Sequence, residues 1–276
     1  MATAAPEALA TLSTAHQAAQ ARRAAQMAAL VAAYFKVRVN ISDPQSVQTW
    51  LEIMLPKILG SRSESERIAA QYGDAVRRLE MPNLKDDFTF AKASVPGLDP
   101  AVVRTSLNVT GPVALQKKLT VIERLDPAPT VKQAMITEAK NEAAGQVGGA
   151  VARHVQNGGR DILKAGVAQD KVALGYVRVL KSEKPCFFCT MLASRGPVFQ
   201  EDSFSDSDPR FEGPHHFKVH DSCACSLKPV YHKTGDPMVD RVQPYVDMWA
   251  DLSDRKGSAP TLLEWRQEYE GRSKIA

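Results

Sequence analysis

Apolar residues near the start of the chain recur at helical spacing. Met27, Leu30, Val31 and Tyr34 follow one another at intervals of three or one residues, which places them on one face of a helix. The apolar residues before them are mostly Ala, which favours helix but buries little area. We therefore expect residues 1–38 to form an Ala-rich helical arm that packs against a partner or another copy, or stays exposed and partly frayed.

Helix-start signals recur through residues 39–170. Asp43-Pro44 and Asp99-Pro100 are typical starts, because Asp caps free N–H groups and Pro is tolerated in the first turn. Ser63 and Glu66 have the spacing of a capping box, which predicts another start. This stretch is therefore predicted to be a domain of several helices.

A long helix is predicted near the end of this domain. Thr130 is its expected cap, and its apolar face extends to about His154. The Asn-Gly-Gly sequence at 157–159 is expected to end it. Glycines inside the helix indicate a kink or close helix packing, at Gly145, Gly148 and Gly149.

Residues 171–232 have a different pattern, typical of a small β-containing module. KVALGYVRVL, at 171–180, is rich in Val and Leu and reads as a strand. The polar, acidic stretch at 200–214 reads as a surface loop. A second strand is indicated by alternate residues, namely Cys223, Cys225 and Leu227.

The C-terminal segment, residues 233–276, is again helical in pattern, with Asp236-Pro237 as a start signal. The sequence thus predicts an α+β fold that is mostly α-helical, with a small β-containing cysteine module before the C-terminal helices. The predicted segments are an arm (1–38), a helical domain (39–170), the cysteine module (171–232) and a C-terminal helical segment (233–276).

Composition narrows the class of protein. The chain has 276 residues, 44% hydrophobic and 24% charged, which is ordinary for a globular protein. Its net charge of +4 permits contact with nucleic acid, but Lys and Arg are spread along the chain. No apolar run of about 18 residues exists, so we expect no membrane span. The N-terminus lacks the pattern of a signal peptide, so a reducing compartment is expected.

All four cysteines fall in two close pairs. Cys186-Phe-Phe-Cys189 has a spacing at which two sulfurs can bind one tetrahedral metal ion. The second half is His220-Asp-Ser-Cys223-Ala-Cys225. In a reducing compartment, these pairs predict a structural zinc site in which four of the five donors bind. The alternatives are plain thiols, or a disulfide that forms after conditions become oxidising.

Catalytic zinc is not indicated. The pair at Cys186 matches half of the zinc deaminase signature, which also needs His-x-Glu upstream. The nearest candidate is His154-Val-Gln156, and Gln cannot act as a general acid or base. The sequence therefore argues against deaminase chemistry.

The cysteine module resembles the C-terminal motif of MuF-like phage minor head proteins. That motif is C-x-x-C-x-x-L, then a loop, then H-x-x-C-x-C with a Pro shortly after. The matching residues are Cys186, Cys189, Leu192, His220, Cys223, Cys225 and Pro229. The family often has Arg between the last two cysteines, whereas this chain has Ala224.

The resemblance implies a structural protein of a tailed-phage head rather than an enzyme. Such a protein would associate with the portal inside the capsid, in several copies, and help to form a competent procapsid. Its other expected contacts are capsid or scaffold proteins and the packaged DNA. It would lie in the virion, and in the host cytoplasm during assembly. The Ala-rich helix at 6–35 is the expected contact with a portal or capsid protein.

Two other functions stay open on the sequence. A capsid maturation protease would need a Ser or Cys nucleophile with a histidine partner. The available histidines are His16, His154, His215, His216, His220 and His232. A zinc-dependent binding module of unrelated origin is the other alternative, although acidic residues offset the Lys and Arg near the cysteines.

Overall fold

The computed structural model describes residues 6–181, 185–196, 198–199, 225–232 and 235–273. Within these ranges the protein is mostly helical with one small antiparallel sheet, which confirms the predicted mostly helical α+β class. The helices are α1 (Pro6–Arg38), α2 (Pro44–Glu80), α3 (Pro100–Asn108), α4 (Ala114–Leu125), α5 (Pro129–Gln169), α6 (Phe187–Ala193), α7 (Pro237–Lys256) and α8 (Leu262–Ser273). None of the helices in the described part of the chain has both the length and the apolar composition needed to cross a bilayer.

Helices α1, α2 and α5 pack together and form the body of the molecule. They contain 33, 37 and 41 residues, so each is roughly 50–60 Å long. Trp50 and Ile58 of α2 are fully buried in one apolar cluster with Val147 and Val151 of α5. The long helices are therefore stabilised mainly by burial of their facing apolar stripes.

Helix α1 belongs to this body along much of its length. Its buried residues run from Leu9 near one end to Phe35 near the other. A Cβ atom added at Gly148 of α5 would lie 3.7 Å from the carbonyl oxygen of Ala28 and from the Cβ of Ala32. The small side chains of α1 thus let its backbone approach α5 closely. The exposed, partly frayed helix left open by the sequence is not what the structure contains.

Helix α2 begins where predicted but does not restart at Ser63. The Asp43 carboxylate caps α2 by accepting a hydrogen bond from the Gln45 N–H at 3.0 Å. The helix then continues past Ser63 and Glu66 as far as Glu80. Burial of its inner face on both sides of Ser63, at Ile58 and Ala69, explains why: tertiary packing overrides a local capping signal.

Helix α3 packs against α2 and α5, and α4 packs against α5. The Asp99 carboxylate caps α3, accepting from the Ala101 N–H at 2.8 Å, so this predicted start is confirmed. A π-helical turn, Val109–Val113, joins α3 to α4. Leu107 of α3 and Leu115 of α4 complete the same apolar cluster as the long helices.

Helix α5 is longer than predicted because its glycines do not end it. It begins at Pro129, one residue before the expected cap, and runs to Gln169, well beyond His154. A Cβ atom at Gly158 would lie 2.5 Å from the Arg62 carbonyl oxygen, and one at Gly159 would lie 2.6 Å from Gln20 Nε2. These glycines therefore allow α1 and α2 to approach α5 closely. From the sequence, the same glycines were expected to end the helix.

The sheet contains strands β1 (Gly175–Val179), β2 (Val198–Phe199) and β3 (Ser226–Val230), in the order β2-β1-β3 with both pairings antiparallel. Strand β1 lies inside the predicted strand at 171–180. Strand β3 confirms the predicted second strand at Leu227 but begins one residue after Cys225, and Cys223 lies outside the described residues. All five residues of β3 are buried, which removes the alternation that usually marks a strand. The predicted loop at 200–214 lies outside the described residues.

The C-terminal helices cover α6. The Asp236 carboxylate accepts from the Met238 N–H at 2.9 Å and caps α7, as predicted. Trp265 of α8 is fully buried, and its indole N–H donates to the Phe187 carbonyl oxygen at 2.9 Å. Helix α8 thus stabilises the first turn of α6.

One buried cluster crosses the predicted boundary between residues 170 and 171. It contains Phe90 and Leu163 of the helical part together with Leu227 and Tyr231 of the module. Leu9 of α1 belongs to the same cluster. The division into four segments stays a prediction about folding units, and the apolar packing is continuous between them.

Candidate metal centre and the ion network beside it

Helix α6 presents the first cysteine pair. Cys186 is the residue before α6, and its Sγ accepts a hydrogen bond from the Cys189 N–H at 3.4 Å. Cys186 is exposed, whereas Cys189 is buried. The first turn of α6 thus holds one exposed and one buried thiol three positions apart.

The sheet positions Cys225, the described member of the second pair. Cys225 precedes β3, which pairs with β1 along its whole length. Cys225 and Cys189 are both buried in one cluster with Val177 and Val179 of β1. Two thiols that are 36 positions apart in the chain therefore belong to one buried cluster.

The remaining two predicted donors, His220 and Cys223, lie outside the described residues. Within the described ranges, no group of three or more His, Cys, Asp and Glu side chains is arranged to hold a metal ion. The donor chemistry fits zinc, since Cys186, Cys189 and Cys225 are thiols placed around one module. The zinc site stays a prediction, with Cys223 and His220 as candidates for the fourth position.

Arg160 of α5 fixes the backbone at Cys225. Its guanidinium donates two hydrogen bonds to the Cys225 carbonyl oxygen, at 3.0 and 2.8 Å, and is almost fully buried. It also donates to Asn157 and Gln156, both of α5, at 2.7 and 3.1 Å. The position of this candidate ligand is thus set by the helical body. Sequence reasoning missed Arg160, because a single Arg within a helix gives no local signal.

Lys228 of β3 is the centre of a buried ion cluster. Its ammonium donates to Glu80 Oε1 and to Asp236 Oδ2, both at 2.5 Å, and all three side chains are almost inaccessible to solvent. Burial raises the pKa of Glu80, although the nearby Lys228 charge acts in the opposite direction. In the sequence, Lys228 is only one of several Lys and Arg residues near the cysteines. The structure instead uses it to join α2, β3 and the start of α7.

A second, partly buried ion cluster lies beside the first. The Arg77 guanidinium of α2 donates to the Asp170 carboxylate at 2.7 and 3.1 Å and to Asp86 at 2.7 and 2.6 Å. Tyr231 donates its hydroxyl proton to Asp170 at 3.0 Å. Burial and the adjacent Asp170 carboxylate raise the pKa of Tyr231 above its usual value. Both clusters therefore connect the end of α2 to the segment that contains β3.

The three histidines among the described residues lie on different parts of the fold. His16 is buried between α1 and α2 and stacks on Tyr72, with ring centroids 4.1 Å apart. The His232 ring is hydrogen-bonded to the Glu80 carbonyl oxygen at 3.0 Å. His154 lies on α5, and the remaining three, His215, His216 and His220, lie outside the described residues.

One groove does contain a serine, a histidine and an aspartate. Ser106, His154 and Asp161 are among the residues that line a groove of about 350 Å³. Acyl-transfer catalysis requires the histidine to bridge the hydroxyl and the carboxylate. In this groove, Arg153 donates to Ser106 Oγ at 3.0 Å, and Arg62 donates to the Asp161 carboxylate. The Ser106 hydroxyl and the Asp161 carboxylate, which a catalytic histidine would have to bridge, are thus each hydrogen-bonded to an arginine.

Comparison with known proteins assigns the chain to a family. The sequence model of the VG15 protein family matches residues 4–252, which includes the helical body, the cysteine module and α7 up to Leu252. The chain therefore belongs to the VG15 family. This is a phage gene family, and the protein is phage-encoded. No curated protein and no solved structure matches the chain significantly.

Proposed function

We propose that this phage-encoded protein is a minor head protein that lies at the portal, inside the capsid, and acts in assembly of the procapsid. The observation that carries the proposal is the family match across residues 4–252, which includes the C-x-x-C…H-x-x-C-x-C arrangement that resembles MuF-like minor head proteins. Portal, capsid and scaffold proteins are the proposed partners, with packaged DNA nearby.

The architecture supports a structural role. Three long helices form a body of roughly 50–60 Å, and buried charges at Arg160 and Lys228 attach the cysteine module to it. Groups fixed in this way favour one rigid arrangement of body and module, which suits a component that presents surfaces to other head proteins.

The test is to locate the protein in procapsids and to delete its gene. We expect labelled antibody and electron microscopy to place it at the portal vertex of purified procapsids. Deletion is expected to yield heads that fail to mature. If this phage cleaves its coat protein during maturation, that cleavage should still occur. Procapsids that lack the protein would contradict the proposal, and loss of coat-protein cleavage would support the maturation protease instead.

We further propose that the cysteine module holds one structural zinc ion. Cys186, Cys189 and Cys225 would supply three thiolates, and Cys223 or His220 the fourth donor. The support is that Cys189 and Cys225 belong to one buried cluster and that Cys186 caps the short helix that contains Cys189. When bound, the ion would join α6 to the residues before β3 and would stabilise the module.

Elemental analysis of freshly purified, reduced protein tests the zinc site. We expect one zinc per chain, released by chelation together with loss of structure in residues 171–232. Substitution with cobalt then identifies the fourth donor from the visible cobalt–thiolate absorption. If Cys223 binds the metal, Cys223→Ser changes this absorption and His220→Ala does not. If His220 binds it, the reverse is expected. Protein that contains no metal when isolated under reducing conditions would exclude the site.

A further inference from the structure

The end of the helical body remote from the sheet contains an open groove of about 430 Å³. It lies between the C-terminal end of α1 with the following loop, helix α4, and the first half of α5. The cysteine module contacts the other end of α1, where Gln17 donates to the Val179 carbonyl oxygen at 2.9 Å. The groove is therefore separate from the candidate metal centre.

The floor of the groove is apolar. Its side chains belong to the edge of the main apolar cluster, so they continue the core to the surface. They are Val39, Ile41, Leu115, Leu119, Ile122 and Ile136. Val37, at the rim, is 74% exposed and extends the apolar surface of the groove. Leu115 and Ile122 are themselves buried, so the apolar surface that the described residues leave partly uncovered belongs to Val39, Ile41, Leu119 and Ile136.

The rim of the groove is basic. Lys36, Arg38, Lys132 and Lys140 line it with one carboxylate, Glu123, which leaves an excess of three positive charges. Across the part of the chain that the structure describes, none of these four cations forms an ion pair. The exposed charges of α8, by contrast, have partners of opposite sign close by, such as Arg266 with Glu270.

The position of Lys132 adds a second electrostatic argument. It lies in the first turn of α5, which has no acidic residue there. The N-terminal end of a helix is the positive end of its dipole, so a cation at this place is unfavourable. Lys36 and Arg38 lie in the last turn of α1, where the negative end of the helix dipole stabilises a cation. Lys132 lies at the opposite, positive end of its helix. An anionic group bound in the groove would relieve this repulsion.

We propose that the groove binds an acidic, amphipathic segment of a partner protein. Apolar side chains of that segment would enter the floor between α1, α4 and α5, and its Asp or Glu side chains would pair with the cations at the rim. The combination of apolar floor and basic rim favours a protein over DNA, because phosphates gain nothing from contact with isoleucine and leucine side chains. The inference goes beyond the minor head assignment and does not depend on it.

Photo-crosslinking in infected cells tests this proposal with the full chain. The phage gene is altered so that p-benzoylphenylalanine replaces Val37, and the crosslinked products are digested and sequenced by mass spectrometry. We expect a product with one partner protein, mapped to a segment in which Asp or Glu alternates with apolar residues at helical spacing. The double variant Lys36→Glu with Lys140→Glu should lower its yield about tenfold, since two favourable charge pairs become repulsive.

A matched charge reversal controls for net charge. Lys57→Glu with Lys85→Glu changes the same number of exposed charges on other surfaces of the molecule and should leave the crosslink yield unchanged. Crosslinks to DNA, to this chain itself or to many unrelated proteins would overturn the proposal, and so would their absence from cells that contain the folded protein. Procapsids that hold the protein but give no crosslink would overturn the groove alone and leave the minor head proposal standing.

Discussion

Charged side chains inside this protein determine how the helical body and the sheet meet. Lys228, Glu80 and Asp236 come from three elements that are far apart in the chain, and each needs the others because an unpaired buried charge is very costly. The cluster therefore has strong consequences when a single member is removed, even where the whole set contributes little net stability.

Substitution of Lys228 tests this dependence. We expect Lys228→Met to lower the free energy of unfolding by about 3–5 kcal/mol, because two buried carboxylates lose their cation. Urea unfolding at pH 7 measures the change. Lys171→Met, at an exposed position shortly before β1, is the control and should change stability little. Equal stabilities of the two variants would show that solvent reaches the Lys228 site.

His16 predicts a pH dependence at the contact of α1 with α2. Burial lowers the pKa of His16 to about 4 from an ordinary value of 6.5. The unfolded chain therefore binds the proton first, and folding stability falls as the pH drops from 6.5 toward 4. Between pH 7 and pH 5, we expect this residue alone to remove about 2 kcal/mol of stability.

The His16→Phe variant isolates that contribution, because Phe keeps a ring against Tyr72 but cannot bind a proton. Urea unfolding of both proteins at pH 7 and pH 5 gives the difference. Carboxylates that titrate in this range affect both proteins equally and cancel. A wild-type protein that loses no more stability than His16→Phe would mean that the imidazole is accessible to water in the folded state.

At the scale of elements, two glycines of α5 have different surroundings, one packed against a neighbouring helix and one open. Gly158 lies where the backbone of α2 comes closest, whereas Gly145 has open space where its side chain would be. Both are interior helix positions at which glycine lowers helix stability relative to alanine. The difference between them comes only from the neighbouring helix.

Alanine substitutions at these two positions should therefore have opposite effects. We expect Gly158→Ala to destabilise the protein by about 1–3 kcal/mol, because its Cβ would meet the Arg62 carbonyl oxygen and force the helices apart. Gly145→Ala should stabilise it by about 0.5–1 kcal/mol. Thermal unfolding of both variants measures the pair. Stabilisation by both would show that α2 can shift away from α5 at little cost.

Elements also show where prediction from the sequence succeeds. The starts at Asp43, Asp99 and Asp236 were predicted correctly, since a capping aspartate followed by proline acts on its own helix and requires nothing remote. The predicted start at Ser63 and the predicted end at Gly158 are wrong for one common reason. At both places, packing between α2 and α5 stabilises a continuous helix more than the local signal destabilises it.

At the scale of the whole molecule, the cysteine module is both a candidate folding unit and a part of the body. The module has a proposed zinc ion of its own, but Arg160 and the buried ion clusters tie it to α5 and α2. If metal is what orders the module, its loss should loosen residues 171–232 first and spare α1, α2 and α5.

Limited proteolysis of Cys186→Ser measures that order of loss. We expect cleavage within 171–232 to become at least about tenfold faster than in the wild type, while the long helices remain protected. Ser194→Ala, a polar substitution at the other end of α6, is the control for local damage to that helix. Simultaneous loss of protection in both regions would mean that body and module unfold as one unit.

The sequence by itself determined the helical class, the capped helix starts, the strand at 171–180 and the pairing of the cysteines as candidate ligands. These features depend on residues that are near one another in the chain, through periodicity, capping and ligand spacing. Only the tertiary structure decided that α1 joins the core, that α5 continues past its glycines, and that Arg160 and Lys228 are buried. The environments of these residues come from helices and strands that are remote in sequence. Local patterns of residues do not indicate which remote backbone segment will pack against each of them.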